Sequence, residues 1–290
     1  MKIPAGLQPL IDEGVVDAVL GALKSGKEAS VYVVDCRGDM RCAKVYKDAG
    51  QRGFQKLAMY QEGRKFRRSR DMRAMDNRSR HGRREQEAAW KNAEVDALYR
   101  LAAAGVRVPK PHGIYDGVML MELVTDADGY PAKRLNDVHL EPAQAREWYV
   151  ILVNQVVRML CAGLIHGDLS EYNVLAGAHG PVIIDLPQAV DAAGNNNAFQ
   201  LLQRDVNNLR TYFARSAPEL AKTEYAHEIW RLYRQRHLSP ETPLTGKFEH
   251  DRSAVDMDSL MYEVEEVERE HKAREAGRRK AELAEAEGKA

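Results

Sequence analysis

The chain has 290 residues, 44% of them hydrophobic, with 43 Lys and Arg balanced by 43 Asp and Glu. That length allows two lobes or a domain with a tail around an ordinary core, and zero net charge excludes any general attraction to nucleic acid, leaving only local clusters for such a role. No apolar run approaches the roughly 18 residues of a membrane span, and the N-terminus MKIPAGLQPLIDEG lacks a secretory core, so a cytoplasmic protein without membrane contact is expected.

Cys36, Cys42 and Cys161 show no C-x-x-C spacing and read as reduced, buried small hydrophobes. From the start of the chain, residues 9–23 suit a short helix or a helix running into a first strand. EASVYVV and MRCAKVY, rich in β-branched residues, predict two antiparallel strands around an Arg-Gly-Asp turn. Ser25, Gly26 and Lys27 precede the first of them. A glycine there would let backbone N–H groups approach a phosphate, although the same residues also fit a plain turn. Lys44 lies mid-strand between apolar neighbours, so its ammonium needs an anionic partner on one face of the sheet.

Between residues 50 and 84 there are twelve Lys and Arg against three Asp and Glu, with Tyr60 and Phe66 interleaved. Such a run is either a solvated, flexible loop or a contact for RNA or the ribosome, since clustered arginines release counterions and stack on bases. The stretch EQEAAWKNAEVDALYRLAAA at 85–104 predicts a helix stopped by Gly105. In it Glu94 shares a stripe with Trp90 and Leu98, where it either meets a lysine or sits solvated at the stripe's edge. Residues 106–123 predict a strand pair turning at Tyr115-Asp116-Gly117. Met121, Glu122 and Leu123 close that pair either as an ordinary strand end or as a hinge offering backbone groups to a base.

Pro142 opens a helix predicted over 142–163. It delivers HGDLSEYN at 166–173, which sets Asp168 five residues before Asn173. In phosphoryl-transfer enzymes an aspartate accepts the proton of the attacking hydroxyl, and an asparagine five residues later ligates a nucleotide-bound metal. Twelve residues further on, PVIIDLPQ ends in Asp185, placed as a second metal-ligating acid. Lysine on a strand, glutamate on the next helix, the acid-amide loop and then the acid follow one another in kinase order. After Asp251 the chain carries Met257, Leu260, Met261, Val264 and Val267 at helical spacing and then becomes almost wholly charged, as a solvated helix or frayed tail would.

SGKEASVY, AKVYK, the helix from Trp90 through Glu94, HGDLSEYN and IIDLPQAV together resemble the RIO family of atypical protein kinases over roughly residues 9–250. The resemblance implies an α+β, two-lobed kinase fold: an N-lobe over 1–121 carrying the basic insertion 50–84, a hinge at 122–128, a C-lobe over 129–250 and a tail over 251–290. It implies ATP with Mg²⁺ or Mn²⁺, weak serine autophosphorylation or ATP hydrolysis, a protein substrate that includes the chain itself, and a link to maturation of the small ribosomal subunit. By the same resemblance Lys44 binds the α and β phosphates and Glu94 orients it. Asp168 is the catalytic acid/base, Asn173 and Asp185 bind metal, and Ser25, Gly26, Lys27 and Glu28 form the phosphate loop. Met121, Glu122 and Leu123 then face the adenine.

With about 24 residues before SGK, the subtype without an N-terminal winged-helix domain is expected. Leu-Pro-Gln follows Asp185, no A-P-E appears, and 20 residues separate Asp185 from Asp205, so neither a long activation loop nor broad peptide docking is expected. A phosphoryl group carried on Asp185, as in an ATPase-like switch, is a further expectation. Two alternatives remain open at this level. His-Gly-Asp in place of His-Arg-Asp also resembles aminoglycoside and choline phosphotransferases, and the chain could serve as a ribosome-assembly factor whose kinase activity is incidental.

Overall fold

Alternation along the β-branched runs builds the first lobe. A computed structural model describes residues 3–26, 29–47 and 93–249. Strands β1 (Ala18–Ser25), β2 (Ala29–Cys36), β3 (Asp39–Tyr46), β4 (Pro111–Tyr115) and β5 (Val118–Glu122) form one antiparallel sheet in the order β1-β2-β3-β5-β4. Two tight hairpins set its register. Arg37 and Gly38 (φ 60° and 85°) and Asp116 and Gly117 (φ 45° and 77°) take the left-handed pair of conformations that matches strand twist in a two-residue loop.

Because side chains alternate, one face of the sheet packs Val34, Ala43, Val118 and Leu120 against Leu7 and Leu10, beside the short helix α1 (Gln8–Asp12). The opposite face receives Cys42, Lys44, Met119 and Met121. The segment 9–23 is therefore both things expected of it: a helix that ends at Asp12 and a strand that starts at Ala18.

Helix α2 is described over 93–103; its expected start, with Trp90, lies outside the described residues. It ends in a Schellman arrangement, in which the Val106 N–H reaches the Leu101 carbonyl (3.0 Å) and the N–H of Gly105, at φ 73°, reaches that of Ala102 (3.2 Å). Val106 and Leu101 are both buried in the larger core.

That core is centred on α3 (Pro142–Cys161), whose stripe of Ala145, Tyr149, Leu152, Val153, Val156, Val157 and Leu160 is buried. Pro142 sits in the first turn, where its missing N–H costs nothing. Helices α4 (Ala198–Phe213) and α5 (Tyr225–Arg234) pack Leu201, Leu202, Leu209, Phe213 and Ile229 into the same core. Four short strands, β6 (Leu164–Ile165), β7 (Val174–Gly177), β8 (Gly180–Ile183) and β9 (Val190–Asp191), pair as β6-β9 and β7-β8 and carry the polar residues of the loops between them.

This is the expected α+β arrangement of an antiparallel-sheet lobe and a helical lobe. Cys36 and Cys42 are buried as expected, but Cys161 is exposed, because it falls off the buried stripe that Met159 and Leu160 continue to the end of α3. No helix among the described residues is long and apolar enough to cross a membrane. The chain divides into two units, Met1–Lys247 and Phe248–Ala290, and both sheet and helices belong to the first. The basic segment 50–84 and the tail 251–290 lie outside the described residues.

Candidate active site

Period-2 alternation places Lys44 opposite Val31 on one side and Met119 on the other, with its side chain only 13% exposed. Its Nζ donates to Glu94 Oε1 and reaches Asp185 Oδ1 at 3.5 Å. Glu94 itself is buried, so the solvated alternative is set aside. Its second oxygen accepts a hydrogen bond from the Tyr46 hydroxyl (2.9 Å), and the Lys44 ammonium lies 5.6 Å from the centre of the Tyr46 ring. Burial works against the charge on Lys44, but Glu94 and then Asp185 outweigh it and hold its pKa above the ordinary lysine value.

A buried pair of this kind punishes loss of one partner more than loss of both. We expect Lys44→Met to cost about 3–5 kcal/mol in urea unfolding, because Glu94 is left buried and unpaired. Adding Glu94→Gln should restore most of that stability without restoring ATP affinity. If the double variant is no more stable than the single one, the ion pair is not the origin of the loss.

The loop after β6 is held from below. His166 is buried; its Nε2 donates to the Ile184 carbonyl (3.0 Å), and its Nδ1 accepts the Asp168 N–H (3.3 Å), an arrangement that selects the neutral Nε2–H tautomer. From α4, the carboxylate of Asp205 accepts the N–H groups of Gly167 and Leu169, both at 2.8 Å. Arg204 donates to the Gly167 carbonyl, and Asn208 Nδ2 donates to that of Leu169 (2.9 Å). Asp168 is thus flanked on both sides by backbone fixed to one helix.

Burial pushes the Asp205 carboxyl up to about 6, against the N–H donors of Leu169 and Gly167 and the positive charge of Arg204. An acid with a raised folded pKa loses stability as pH rises, because between the two pKa values the folded chain retains a proton that the unfolded chain has released. Relative to Asp205→Asn, the wild type should lose on the order of 2–3 kcal/mol of its advantage between about pH 4 and pH 6.5, and little beyond. Parallel urea titrations of the two proteins across that range would check it, and a difference that grows with pH would reverse the assignment.

Asn173 Nδ2 donates to the Asp168 carbonyl (2.8 Å), which leaves its amide oxygen for a cation. Asp185 follows β8 with φ 68°, a left-handed conformation unusual for a residue with a side chain. Such strain, about 1–3 kcal/mol, persists where surroundings over-determine it. Here the adjacent Ile184 N–H bonds the Asn173 carbonyl (2.9 Å), and Lys44 draws the Asp185 carboxylate inward. The two metal-ligand candidates are therefore tied together through the backbone.

A cavity of about 770 Å³ lies over these groups, within the usual range for a small-molecule site. Val31, Met119, Met121, Leu175 and Ile184 supply its apolar walls, and Gly26, Lys44, Glu94, Asn173 and Asp185 supply its polar end. Asp168 stands outside this lining, with Oδ2 accepting from Gln188 Nε2 at 3.4 Å. Among the described residues no cluster of three or more His, Cys, Asp or Glu could hold a metal alone. Asn173 and Asp185 offer two hard oxygens, a donor set suited to a divalent ion whose remaining ligands are phosphate oxygens and water.

Several expected contacts are modified. Gly26 lines the cavity, but Ser25 does not: its hydroxyl is bonded to Lys47 Nζ (2.9 Å) and Ser30 Oγ (3.1 Å), and Lys47 also takes the Gly26 carbonyl (2.7 Å). Lys27 and Glu28 lie outside the described residues. Met121, Glu122 and Leu123 all line the cavity, but the Glu122 N–H is spent on the Lys110 carbonyl (2.8 Å) and is not available to a base. The Glu122 carboxylate is gripped by both terminal nitrogens of Arg107 (2.8 and 2.7 Å), which hold it below the usual carboxylate range.

Tyr46, Gln188, Asp205 and Asn208 were not anticipated. Only Asp205 left a trace, an acid within the apolar stripe of Leu201, Leu202, Val206 and Leu209, where it requires a buried partner.

Comparison with known proteins shows the family of the chain. A family model described as "RIO domain" matches residues 30–226. The RIO-type serine/threonine-protein kinase Rio1 of Haloferax volcanii is 35% identical over 216 residues, covering 74% of this chain and 70% of that protein. The serine/threonine-protein kinase rio1 of Schizosaccharomyces pombe is 27% identical over 283 residues, and human serine/threonine-protein kinase RIO1 is 29% identical over 213. The matches cover 55% and 35% of the length of those two relatives.

Proposed function

Because this chain belongs to the RIO family of atypical protein kinases, we propose that it transfers the γ-phosphoryl group of ATP to a serine hydroxyl, its own among them. One observation carries the proposal: Lys44, Glu94, Asn173 and Asp185 line a single cavity, with Asp168 held beside it by a braced loop. The apolar walls receive the adenine, and Met121, Glu122 and Leu123 form its edge. Gly26 and Lys44 hold the phosphates. Asn173 and Asp185 would hold Mg²⁺, which neutralises charge on the phosphates when bound.

In the transfer, the serine oxygen forms a bond to the γ-phosphorus as the bond from that phosphorus to the β–γ bridging oxygen breaks, and ADP leaves. Asp168 takes the hydroxyl proton. We take 122–128 as the hinge between lobes over 1–121 and 129–250. A cytoplasmic role in small-subunit maturation, with the basic segment 50–84 touching RNA, extends the same proposal. The protein-kinase names of the relatives favour this reading over a small-molecule phosphotransferase.

Incubation of the full chain with γ-labelled ATP and either Mg²⁺ or Mn²⁺, following label on protein and free phosphate together, tests it. Acid-stable label on serine is the expected result. Label that is lost in acid and released by hydroxylamine, accompanied by free phosphate, would instead identify an ATPase-like switch carried on an aspartyl group. Neither label nor phosphate under both metals would overturn the assignment.

A further inference from the structure

Three cations at the mouth of the cavity take no part in the chemistry above. Lys24, near the end of β1, contributes to the lining from the sheet lobe, and Lys133 and Arg134 contribute from the segment that follows β5. Lys24 and Lys133 are exposed and Arg134 is half-buried. Their backbone is well fixed: Lys24 belongs to a paired strand, Arg134 bridges Leu175 of β7, and the Lys133 carbonyl accepts the Ala176 N–H (2.8 Å).

None of the three has an ion-pair partner within 4.0 Å among the described residues, and one further acid, Asp137, shares the rim with them. Partial burial, and after it the nearby charge of Arg134, lowers the pKa of Lys24, against the pull of Asp185 and Asp137. The rim thus concentrates positive charge that the protein itself does not balance.

The nucleotide does not account for it. Lys24 directly follows Leu23, and Arg134 is bridged to Leu175; Leu23 and Leu175 belong to the apolar part of the cavity lining, where an uncharged nucleoside would lie. The phosphate end is already supplied with Gly26, Lys44, Asn173 and Asp185. An anion outside the nucleotide is needed, and the molecule that must approach this mouth is the one bringing a hydroxyl to Asp168.

We propose that Lys24, Lys133 and Arg134 form a recognition rim for an acidic phosphoacceptor segment, a serine flanked by carboxylates. The proposal rests on the kinase reading and adds a substrate class to it. A net charge of about +2 at the rim suits one or two carboxylates; a nucleic-acid backbone would set a long run of phosphates against Asp137, Asp168 and Asp185 as well. Short-range charge recognition is also what a lower lobe without a long activation segment can provide.

Binding tests it independently of turnover. Two labelled serine peptides of equal length, one flanked by Asp and Glu and one by Lys and Arg, would be titrated with the full chain in the presence of ADP and followed by fluorescence anisotropy. The acidic peptide should bind at least about tenfold more tightly, lose about tenfold with Lys133→Glu or Lys24→Glu, and weaken as salt is raised. Affinity for a fluorescent ADP analogue should stay within about twofold in the same variants.

Equal binding of the two peptides, or acidic-peptide binding indifferent to both variants, would overturn the proposal. An equal loss of affinity for the ADP analogue would assign the cations to the nucleotide. Tighter binding of a single-stranded RNA of matched charge, with the same dependence on Lys133, would assign the rim to nucleic acid. Failure of phosphoryl transfer would be seen separately in the labelled-ATP experiment.

Discussion

Asp168→Ala should lower the rate of phosphoryl transfer by about 10²–10⁴-fold while leaving the affinity for ATP within about twofold of wild type. The asymmetry follows from position. Asp168 is not part of the cavity lining that would receive the nucleotide, so its carboxylate contributes to the transition state and little to ground-state binding of ATP. Its one side-chain partner among the described residues is Gln188 at 3.4 Å, so removing the carboxylate leaves no described buried donor stranded and the urea midpoint should move little. Asp168→Asn should be nearly as inactive as the alanine variant, because an amide keeps the shape but cannot accept the proton. Steady-state turnover with separate titration of an ATP analogue would check both. A loss below about tenfold, or a rise in the dissociation constant for ATP that matches the loss in turnover, would remove Asp168 from the role of base.

Asp205→Ala should be the most damaging change to the loop itself. Two backbone N–H groups, those of Gly167 and Leu169, lose their acceptor, and the neighbouring Arg204 guanidinium loses a nearby negative charge. Unsatisfied buried donors cost about 1–3 kcal/mol each, so a loss of roughly 3 kcal/mol is expected at neutral pH. The loss should be larger at pH 5 than at pH 8, because the wild type itself bears the cost of a buried charge once the carboxyl ionises. Activity should fall by more than unfolding explains, since Asp168 sits between the two amides Asp205 holds. Hydrogen exchange at Gly167 and Leu169 distinguishes the effects: both amides should lose protection in the variant under conditions where the protein remains folded. Unchanged protection with full stability would show that α4 does not brace the loop.

Both residues lie in or beside a motif that the chain displays openly, yet they were legible to different degrees. Asp168 and Asn173 could be read from spacing alone, because a loop of six residues puts the first and last side chains near one another whatever surrounds them. Lys44 could be read from alternation, which settles the face of the sheet before any partner is known. The tight turns at Arg37-Gly38 and Asp116-Gly117, the proline that opens α3 and the glycine that closes α2 are likewise decided by a few neighbouring residues.

Glu94 was ambiguous in the chain and became clear only in the fold. A carboxylate at the edge of an apolar stripe has two stable outcomes, water or a buried cation, and which one holds depends on a strand 50 residues away. Glu122 shows the reverse case. Its place at the strand end was anticipated, but Arg107 and the Lys110 carbonyl consume groups that would otherwise face a base. Ser25, expected at the phosphates, is instead drawn to Lys47 and Ser30.

The sequence by itself determined the strands and their turns, the principal helices of the catalytic lobe, and the order and spacing of Lys44, Glu94, Asp168, Asn173 and Asp185. These depend on backbone periodicity and on contacts within a few residues, which any local stretch carries with it. Only the tertiary structure decided that Asp205 holds the loop around Asp168, that Tyr46 completes the grip on Glu94, and that Lys24, Lys133 and Arg134 meet at one rim. Each of those arrangements joins distant segments, and its strength comes from water being excluded or charge being concentrated where they meet, a condition that no single stretch of chain can supply.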